Sequence, residues 1–332
     1  MSKIANSLSD LHAGQSLAHE RLTVHPLFSD SGLHKDYLTL DEALKAGEAR
    51  VTEVSEAGSV PNLLFHNLGT QAVFLLDGEE LVGAKQNRIL NITILAPAKQ
   101  ETVIPVSCVE AGRWHHASRE FSSAPRAQFS ESRARKASAV SSYLRTDAGP
   151  RSDQGELWDD IAAKMCRMGS HSGTGAMERV FEDHEDALGQ YVDRLGVISG
   201  QVGAVFAIRG RVVGMELFDT AETCRLLMPK IIRSYALDAI DPAYRGYASS
   251  SLDAPEQIME LLEGAPYSSH ASVGEGRDLR FDSTPGLVGG ALYARDRVVH
   301  LCAFVIAQHS RENDDRDYRT RASRRRHFRD AA

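Results

Sequence analysis

The sequence is poor in the features that mark membrane-spanning, disulfide-bonded and zinc-binding proteins. It has four cysteines, which lie far apart and form neither a CxxC pair nor a Cys/His spacing of the zinc type. No run of about 18 apolar residues occurs, and residues 1–17 contain no apolar segment of signal-peptide length. We therefore expect reduced thiols, no membrane partner and a cytoplasmic location.

Basic residues are fewer than acidic ones. The chain has 38 Lys and Arg against 45 Asp and Glu, a net charge of −7. Because a phosphate backbone attracts positive surface, this balance disfavours nonspecific binding of nucleic acid by the body of the protein. Residues 316–329 are the exception, with seven arginines and one aspartate. We predict that residues 310–332 form a basic, disordered tail; contact with RNA, DNA or an acidic partner is the alternative.

The composition is that of a globular protein, since 42% of the 332 residues are hydrophobic and 25% are charged. We predict an α+β fold with a largely antiparallel β core built from hairpins and with helices from the middle of the chain packed on one side. A flexible N-terminal arm (1–20) should precede a single ligand-binding domain (21–309). Within that domain we distinguish a β-rich block (21–116), a Ser/Arg-rich excursion (117–155) and an α+β half (156–309).

Alternating hydrophobicity and turn residues place most elements. In the β-rich block we predict a strand, a short helix and six further strands, at residues 22–28, 39–47, 50–54, 62–66, 71–76, 80–83, 87–95 and 102–110. Later we predict helices at 156–168, 176–195, 219 onwards and 255–262, and strand pairs at 202–208 with 211–218 and at 288–294 with 297–306. Pro229 should kink or split its helix. The excursion, with a short helix near 131–144, is interpreted as a mobile lid.

Two late strand pairs resemble each other. VGAVFAIRGRVV, from Val202, and VGGALYARDRVV, from Val288, match without gaps at half of their positions. VFLLDGEELVG, from Val73, has a similar apolar strand, Gly-containing turn and apolar return, with one inserted residue. Three such hairpins would make a pseudo-symmetric β framework, although unrelated hairpins also resemble one another.

The densest polar groups lie in GEELVGAKQNRILN, residues 78–91, and IPVSCVEAGRW, residues 104–114. If their strands pair so that opposed residue numbers sum to 198, the apolar faces coincide and Arg88 lies opposite Glu110. A sum of 196 keeps the same faces, but 198 leaves a five-residue loop at 97–101 and is preferred. An arginine and a carboxylate at the end of an apolar row should form a structural ion pair or hold a ligand.

The residue types at this end of the strands favour a phosphorylated, nucleotide-like ligand, because they supply cationic donors, amides and a stacking face. The candidate ligand-binding residues are Lys85, Gln86, Asn87, Arg88, Arg113 and Trp114. Glu80 and Glu110 are the candidate catalytic bases. Carboxylates near a phosphate site commonly hold Mg²⁺. We therefore leave open whether Mg²⁺ is a cofactor, and we assign no residues as metal ligands. Cys108 is interpreted as a small core residue.

At these two motifs the sequence resembles a bacterial family, the ARG and rhodanese-phosphatase-superfamily-associated protein domain, in whose name ARG stands for ADP-ribosylglycohydrolase. The resemblance extends from about residue 22 to residue 308 and is weakest in the excursion and the tail. It implies a genomic context of NAD and ADP-ribose metabolism but no particular reaction. The family motif corresponds here to Glu80, Gly83, Lys85, Gln86, Asn87, Arg88, Cys108, Glu110, Arg113 and Trp114.

The resulting hypothesis is a protein that binds, and in its stronger form hydrolyses, a nucleotide or an ADP-ribose-related metabolite. Arg88 and Lys85 would engage phosphate, and Gln86 and Asn87 would orient it. Trp114 would stack on the ligand, with Glu80 or Glu110 as the base. The alternative is a noncatalytic sensor or scaffold in an NAD-linked operon, with the excursion and the tail recruiting partners. Nucleic-acid binding through the tail ranks last because the net charge is negative.

Overall fold

The computed structural model describes residues 3–55, 58–115, 117–244 and 252–306, so the predicted tail lies outside the described residues. The described strands are β1 Leu11–Ala13, β2 Leu17–His19, β3 Leu22–Ser29, β4 Tyr37–Thr39, β5 Ala49–Glu53, β6 Asn62–Asn67, β7 Ala72–Leu75, β8 Glu79–Gly83, β9 Arg88–Leu90, β10 Ile94–Ala96, β11 Glu101–Cys108, β12 Phe121–Ala127, β13 Gln201–Ile208, β14 Arg211–Phe218, β15 Ser268–Ala271, β16 Arg277–Phe281, β17 Leu287–Ala294 and β18 Arg297–Val305. The described helices are α1 Lys3–Leu8, α2 Leu40–Lys45, α3 Ser130–Arg145, α4 Gln154–Met168, α5 Glu178–Asp183, α6 Glu185–Arg194, α7 Ala221–Ile240 and α8 Pro255–Gly264. This is an α+β fold with mostly antiparallel sheets, which confirms the predicted fold class.

The largest sheet has nine strands in the order β1-β3-β13-β14-β18-β17-β16-β15, with β2 also paired to β3. One face packs against helices from the middle of the chain, and Phe206 and Phe218 lie in that core. The other face contacts the short helices α1 and α8, through Ile4 and Ile258 among others. The central strands β13, β14, β17 and β18 are therefore buried on both faces, which explains why their sequences are almost continuously apolar.

The large sheet is built from two similar halves. The hairpins β13–β14 and β17–β18 meet at the antiparallel β14–β18 pair. Outside them, the hairpin β2–β3 extends the first half and the hairpin β15–β16 extends the second. A short helix precedes each half, and α1 and α8 belong to the same apolar cluster. The repeat therefore includes more strands than the two similar sequence segments indicate.

The two central hairpins share local details. Each register slips at the fifth residue of the aligned segment, after Phe206 in one and after Leu292 in the other. Each turn has two residues with positive φ, at 209–210 and at 295–296. Such turns match the right-handed twist of the strands that they join. The third predicted hairpin is wrong: β7 pairs with β10 and β4, whereas β8 pairs with β9 and β12.

Residues 30–200 form a long insertion between β3 and β13 of the first half. The insertion holds a three-stranded sheet, β10-β7-β4, and a six-stranded sheet, β12-β8-β9-β11-β6-β5. The chain crosses between these sheets at Asp77, whose carboxylate pairs with Arg133 and Lys136 of α3 at 3.2 and 3.1 Å. Both polar motifs lie in the six-stranded sheet and its loops.

The predicted lid is wrong, because the excursion contributes to the core. It forms β12 and α3, and in α3 the Arg133 side chain is fully buried. Its Ser- and Arg-rich composition resembles that of a surface segment, but Arg133 is buried because it pairs with Asp77 and Glu216. Residues of the predicted flexible arm form α1, β1 and β2, and Ile4 of α1 is buried.

Two helices differ from the prediction in whether they are interrupted. The helix expected at 176–195 is two helices, α5 and α6, separated at His184. Of the kink or split expected at Pro229, the split is absent, since α7 is continuous from Ala221 to Ile240. Met228, Ile231 and neighbouring side chains of α7 are buried, and this packing outweighs the single backbone hydrogen bond that proline removes.

Candidate functional site

The loop between β8 and β9 brings the polar residues of the first motif together. The chain reverses at Gly83 and Ala84, which both have positive φ. The Oδ1 atom of Asn87 accepts hydrogen bonds from the Gly83 backbone N–H at 3.2 Å and from Nη2 of Arg113 at 3.0 Å. Asn87 therefore closes its own loop, and its side-chain oxygen is already occupied by protein donors.

The register of β9 and β11 follows the sum of 196, so the preferred sum of 198 is wrong. Arg88 lies opposite Cys108, and Nε2 of Gln86 donates to the backbone oxygen of Glu110 at 2.9 Å. The predicted Arg88–Glu110 opposition is thus replaced by Arg88–Cys108. The loop argument failed because β9 ends at Leu90: residues 94–96 form β10, which pairs with β7 in another sheet.

The Glu110 carboxylate pairs with Arg113, whose Nε lies 2.8 Å from Oε2. The Glu110 carboxylate also accepts hydrogen bonds from the backbone N–H of Asn87 at 3.2 Å and from the hydroxyl of Thr174 at 2.9 Å. Burial opposes ionisation, but these hydrogen bonds outweigh it and keep the pKa of Glu110 below its ordinary value. Glu110 is therefore a fully engaged carboxylate, which is suited to holding the loop and poorly suited to accepting a proton.

Glu80 is in the opposite situation. It is fully buried, its Oε2 accepts from Nε of Arg126 at 2.5 Å, and its Oε1 has no hydrogen-bond partner among the described residues. Burial raises the pKa of Glu80 to about 7 against the attraction of Arg126, and the carboxylates of Glu178 and Glu110 act in the same direction as burial. A carboxyl group with a pKa near neutrality is suited to general acid–base catalysis.

Glu80, Glu110 and Glu178 form a carboxylate cluster in which Arg126 bridges Glu80 and Glu178, and neither Arg126 nor Glu178 is apparent from the sequence. Arg126 bridges the two acids, with Nη2 at 2.6 Å from Oε1 of Glu178, and Oε2 of Glu178 accepts from the Asn87 amide at 3.0 Å. Arg126 comes from β12 and Glu178 from α5, so only the tertiary fold brings them to the motif. No spacing or periodicity connects them with residues 78–91.

Arg88 lies on β9 and is fully buried. Its Nη1 donates to Oε1 of Gln86 at 2.8 Å, whereas Nε and Nη2 have no hydrogen-bond partner among the described residues. Burial lowers the pKa of the guanidinium, which is still charged at neutral pH. An unpaired buried donor is unfavourable, so this arginine carries a cost that a bound anion would remove.

Trp114 lies over the two cations of the motif. Its ring centroid is 5.7 Å from Cζ of Arg88 and 5.5 Å from Nζ of Lys85. Trp114 is 47% exposed, whereas Lys85 is 8% exposed, so the indole forms the outer surface of the site. The structure thus brings Lys85, Arg88 and Trp114 together, with an aromatic face accessible from solvent.

The candidate residues divide between the two faces of the sheet. Glu80 opposes Ile89, whereas Leu81 opposes Arg88, and directly opposed residues project to the same face. Glu80 and Arg88 therefore project to opposite faces. The carboxylate cluster of Glu80, Glu110 and Glu178 contains Asn87 and Arg113, while Arg88, Lys85 and Trp114 form a separate cationic group.

Cys108 faces Arg88 from β11, and α4 packs beside it. The side chain of Gln154 bonds to both backbone groups of Cys108, at 2.8 and 2.7 Å. The thiol donates to the backbone oxygen of Glu110 at 3.3 Å, and burial raises its pKa against the opposing effects of the Glu110 backbone N–H, Arg88 and Trp158. Cys108 is buried, as the sequence predicts, but its surroundings are polar.

In the part of the chain that the structure describes, no group of three or more His, Cys, Asp or Glu side chains is placed to hold a metal ion. No helix in that part has the length and apolarity needed to span a membrane. All four cysteines have free thiols.

The comparison with protein families agrees with the family resemblance of the two motifs. The model of the ARG and rhodanese-phosphatase-superfamily-associated protein domain matches residues 10–304, and the chain belongs to this family. The match includes both halves of the large sheet and the insertion that carries the site. No curated protein and no solved structure matches the chain.

Proposed function

We propose that this protein binds a nucleotide or an ADP-ribose-related metabolite at the cationic group formed by Arg88, Lys85 and Trp114. The observation that carries the proposal is Arg88, a fully buried guanidinium with two donor nitrogens that lack partners among the described residues. A phosphate would satisfy these donors, and the half-exposed Trp114 would stack on a base or sugar. The proposed ligand class fits the cytoplasmic setting expected from the sequence.

Hydrolysis is the stronger form of the proposal, and it depends on Glu80. With a pKa of about 7 and an Oε1 that has no hydrogen-bond partner in the described part of the chain, Glu80 is suited to receive a proton from water. The second candidate function is a noncatalytic sensor. It is favoured by the opposite projection of Glu80 and Arg88, because a ligand held at Arg88 would not directly contact the proposed base.

Binding is tested by calorimetric titration of the protein with ADP-ribose, AMP, NAD and ribose phosphate. We expect saturable binding of at least one compound, and its loss in Arg88→Met. The matched control is Arg50→Met, because Arg50 lies on the same sheet with a 59% exposed side chain. Equal binding by wild type and Arg88→Met, or no binding of any compound by the folded protein, would refute the proposed site.

Turnover separates the two candidate functions. Wild type and Glu80→Gln are incubated with the bound compound, with and without Mg²⁺, and products are followed by chromatography. Product formation that is lost in Glu80→Gln supports hydrolysis. Binding without any product, under both metal conditions, supports the sensor.

A further inference from the structure

We propose that the group held at Arg88 is a tetrahedral oxyanion, that it contacts Trp158 as well as Arg88, and that it lies against Cys108. This inference rests on the proposed function and deepens it, because it defines which part of the ligand is buried. Trp158 lies on α4, outside both motifs, and neither the sequence patterns nor the family resemblance assigns it a role.

The argument starts from donors without acceptors. Nε and Nη2 of Arg88 and Nε1 of Trp158 are buried and have no hydrogen-bond partner of ordinary geometry among the described residues. Both side chains lie beside Cys108: Arg88 opposes it across the β9–β11 pair, and Trp158 lies one helical turn after Gln154, whose side chain bonds to the Cys108 backbone. The sulfur of Cys108 is thus the acceptor nearest in the fold to three donor nitrogens that lack an ordinary partner. A neutral thiol is only a weak acceptor, so it leaves these donors unsatisfied.

The chemistry of the surroundings selects the ligand group. A hydroxyl or an amide would bring donors of its own into a place where donors are already in excess. A cation is excluded by Arg88. An ionised oxyanion offers acceptors only, neutralises the guanidinium and forms charge-assisted hydrogen bonds with it. Phosphate is the oxyanion that the proposed metabolites carry.

Of the two acids near Arg88, one is engaged elsewhere and the other opposes a bound anion. Glu110 does not compete for Arg88, because its carboxylate is held by Arg113. Glu53 is the carboxylate whose charge acts on Arg88, and its Oε1 accepts from the backbone N–H of Lys85 at 3.4 Å. Glu53 would repel a bound anion, so Glu53→Gln should strengthen phosphate binding.

Fluorescence tests the contact with Trp158. The chain has two tryptophans, so Trp158 is the only one left in Trp114→Phe. Inorganic phosphate is titrated into this full-length variant. We expect a saturable change in Trp158 emission and no such change when Arg88→Met is added. An unchanged emission, at phosphate concentrations that stabilise the protein against heat, would overturn the contact.

Affinity and thiol protection give independent readouts. Removal of one hydrogen bond to a charged group predicts that Trp158→Phe binds phosphate about tenfold more weakly than wild type. Bound phosphate should also slow alkylation of Cys108 by iodoacetamide, measured by peptide mass spectrometry, and leave the exposed Cys166 unaffected.

The outcomes separate this inference from the proposed function. If a nucleotide binds through Arg88 but phosphate affinity is the same in Trp158→Phe and wild type, the inference is wrong and the proposed function stands. If neither phosphate nor any of the metabolites binds the folded protein, the proposed function fails, and this inference fails with it.

Discussion

Arg88 and Arg133 show that burial of an arginine has opposite consequences for stability in different surroundings. Both arginines are fully buried. Arg133 pairs with Asp77 and Glu216, whereas Arg88 makes one hydrogen bond and leaves two nitrogens without partners among the described residues. A charge that is buried without a partner reduces stability, so the guanidinium of Arg88 supports the proposal that this site binds an anion.

This difference predicts a trade-off at Arg88. The substitution Arg88→Met keeps most of the side-chain volume and removes the unpaired charge. We expect the free energy of unfolding to rise by about 1–3 kcal/mol, measured by urea denaturation, while ligand binding is lost. The exposed Arg50→Met should change stability by less than about 0.5 kcal/mol. A clear loss of stability in Arg88→Met would contradict the view that its guanidinium is unsatisfied.

A second prediction at this scale concerns pH and Glu80. Burial raises the pKa of Glu80 from 4.5 to about 7, so the folded state binds this proton more tightly than the unfolded state. The protonated Glu80 therefore stabilises the folded state. This contribution is fully present below pH 4.5 and is lost as the pH rises through about 7. The loss is on the order of 3 kcal/mol.

Glu80→Gln removes this titration. The difference in free energy of unfolding between Glu80→Gln and wild type should therefore change with pH. It should shift in favour of the variant by up to about 3 kcal/mol from about pH 5 to about pH 8, measured by urea denaturation at both pH values. Glu263→Gln, at an exposed position of α8, is the control and should show no such change. The same difference for Glu80→Gln at both pH values would mean that Glu80 titrates normally.

At the scale of elements, the two central hairpins make a matched pair of glycines. Gly203 and Gly289 occupy the second position of the aligned segments. A Cβ at Gly203 would meet the backbone oxygen of Glu216, and one at Gly289 would meet that of Cys302. Both halves of the repeat thus need glycine for the same close approach of neighbouring strands.

We therefore expect Gly203→Ala and Gly289→Ala to destabilise the protein similarly, by about 1–3 kcal/mol each, because backbone cannot give way as a side chain can. Gly189 of α6 is the matched control, since a Cβ there would have no atom within 4 Å. Gly189→Ala should be stabilising by about 0.5–1 kcal/mol. Chemical denaturation of the three variants measures all of these effects. Tolerance of alanine at one hairpin only would show that the halves are not equivalent.

The elements also show what the sequence could and could not predict. Alternation and turn residues located twelve of the eighteen described strands, because both signals are local, but they missed β1, β2, β4, β12, β15 and β16. The pairing of β9 with β11 was wrong by one step, since the chain leaves the sheet after Leu90 and no local pattern reveals that exit. Arg126, Glu178 and Trp158 were missed for the same reason: their proximity to the motifs depends on the packing of β12, α5 and α4.

At the scale of the whole molecule, buried ion pairs join the insertion to the duplicated sheet. Nη1 of Arg133, on α3 of the insertion, lies 2.6 Å from Oε1 of Glu216 on β14. Glu216 also contacts His300 of β18 at 3.1 Å, and His300 contacts the Thr93 hydroxyl of the insertion at 2.8 Å. Because these contacts cross between the two parts, the site-bearing insertion and the large sheet should unfold together.

Arg133→Met tests this coupling. It removes the cation but leaves Asp77 and Glu216 buried, so we expect a loss of about 3–5 kcal/mol in the free energy of unfolding, opposite in sign to the effect of Arg88→Met. In wild type, circular dichroism and the fluorescence of Trp114 and Trp158, which both lie in the insertion, should give one coincident denaturation curve. In Arg133→Met the fluorescence transition should come first. If the two probes separate already in wild type, the insertion is an independent folding unit and these ion pairs do not couple it to the sheet.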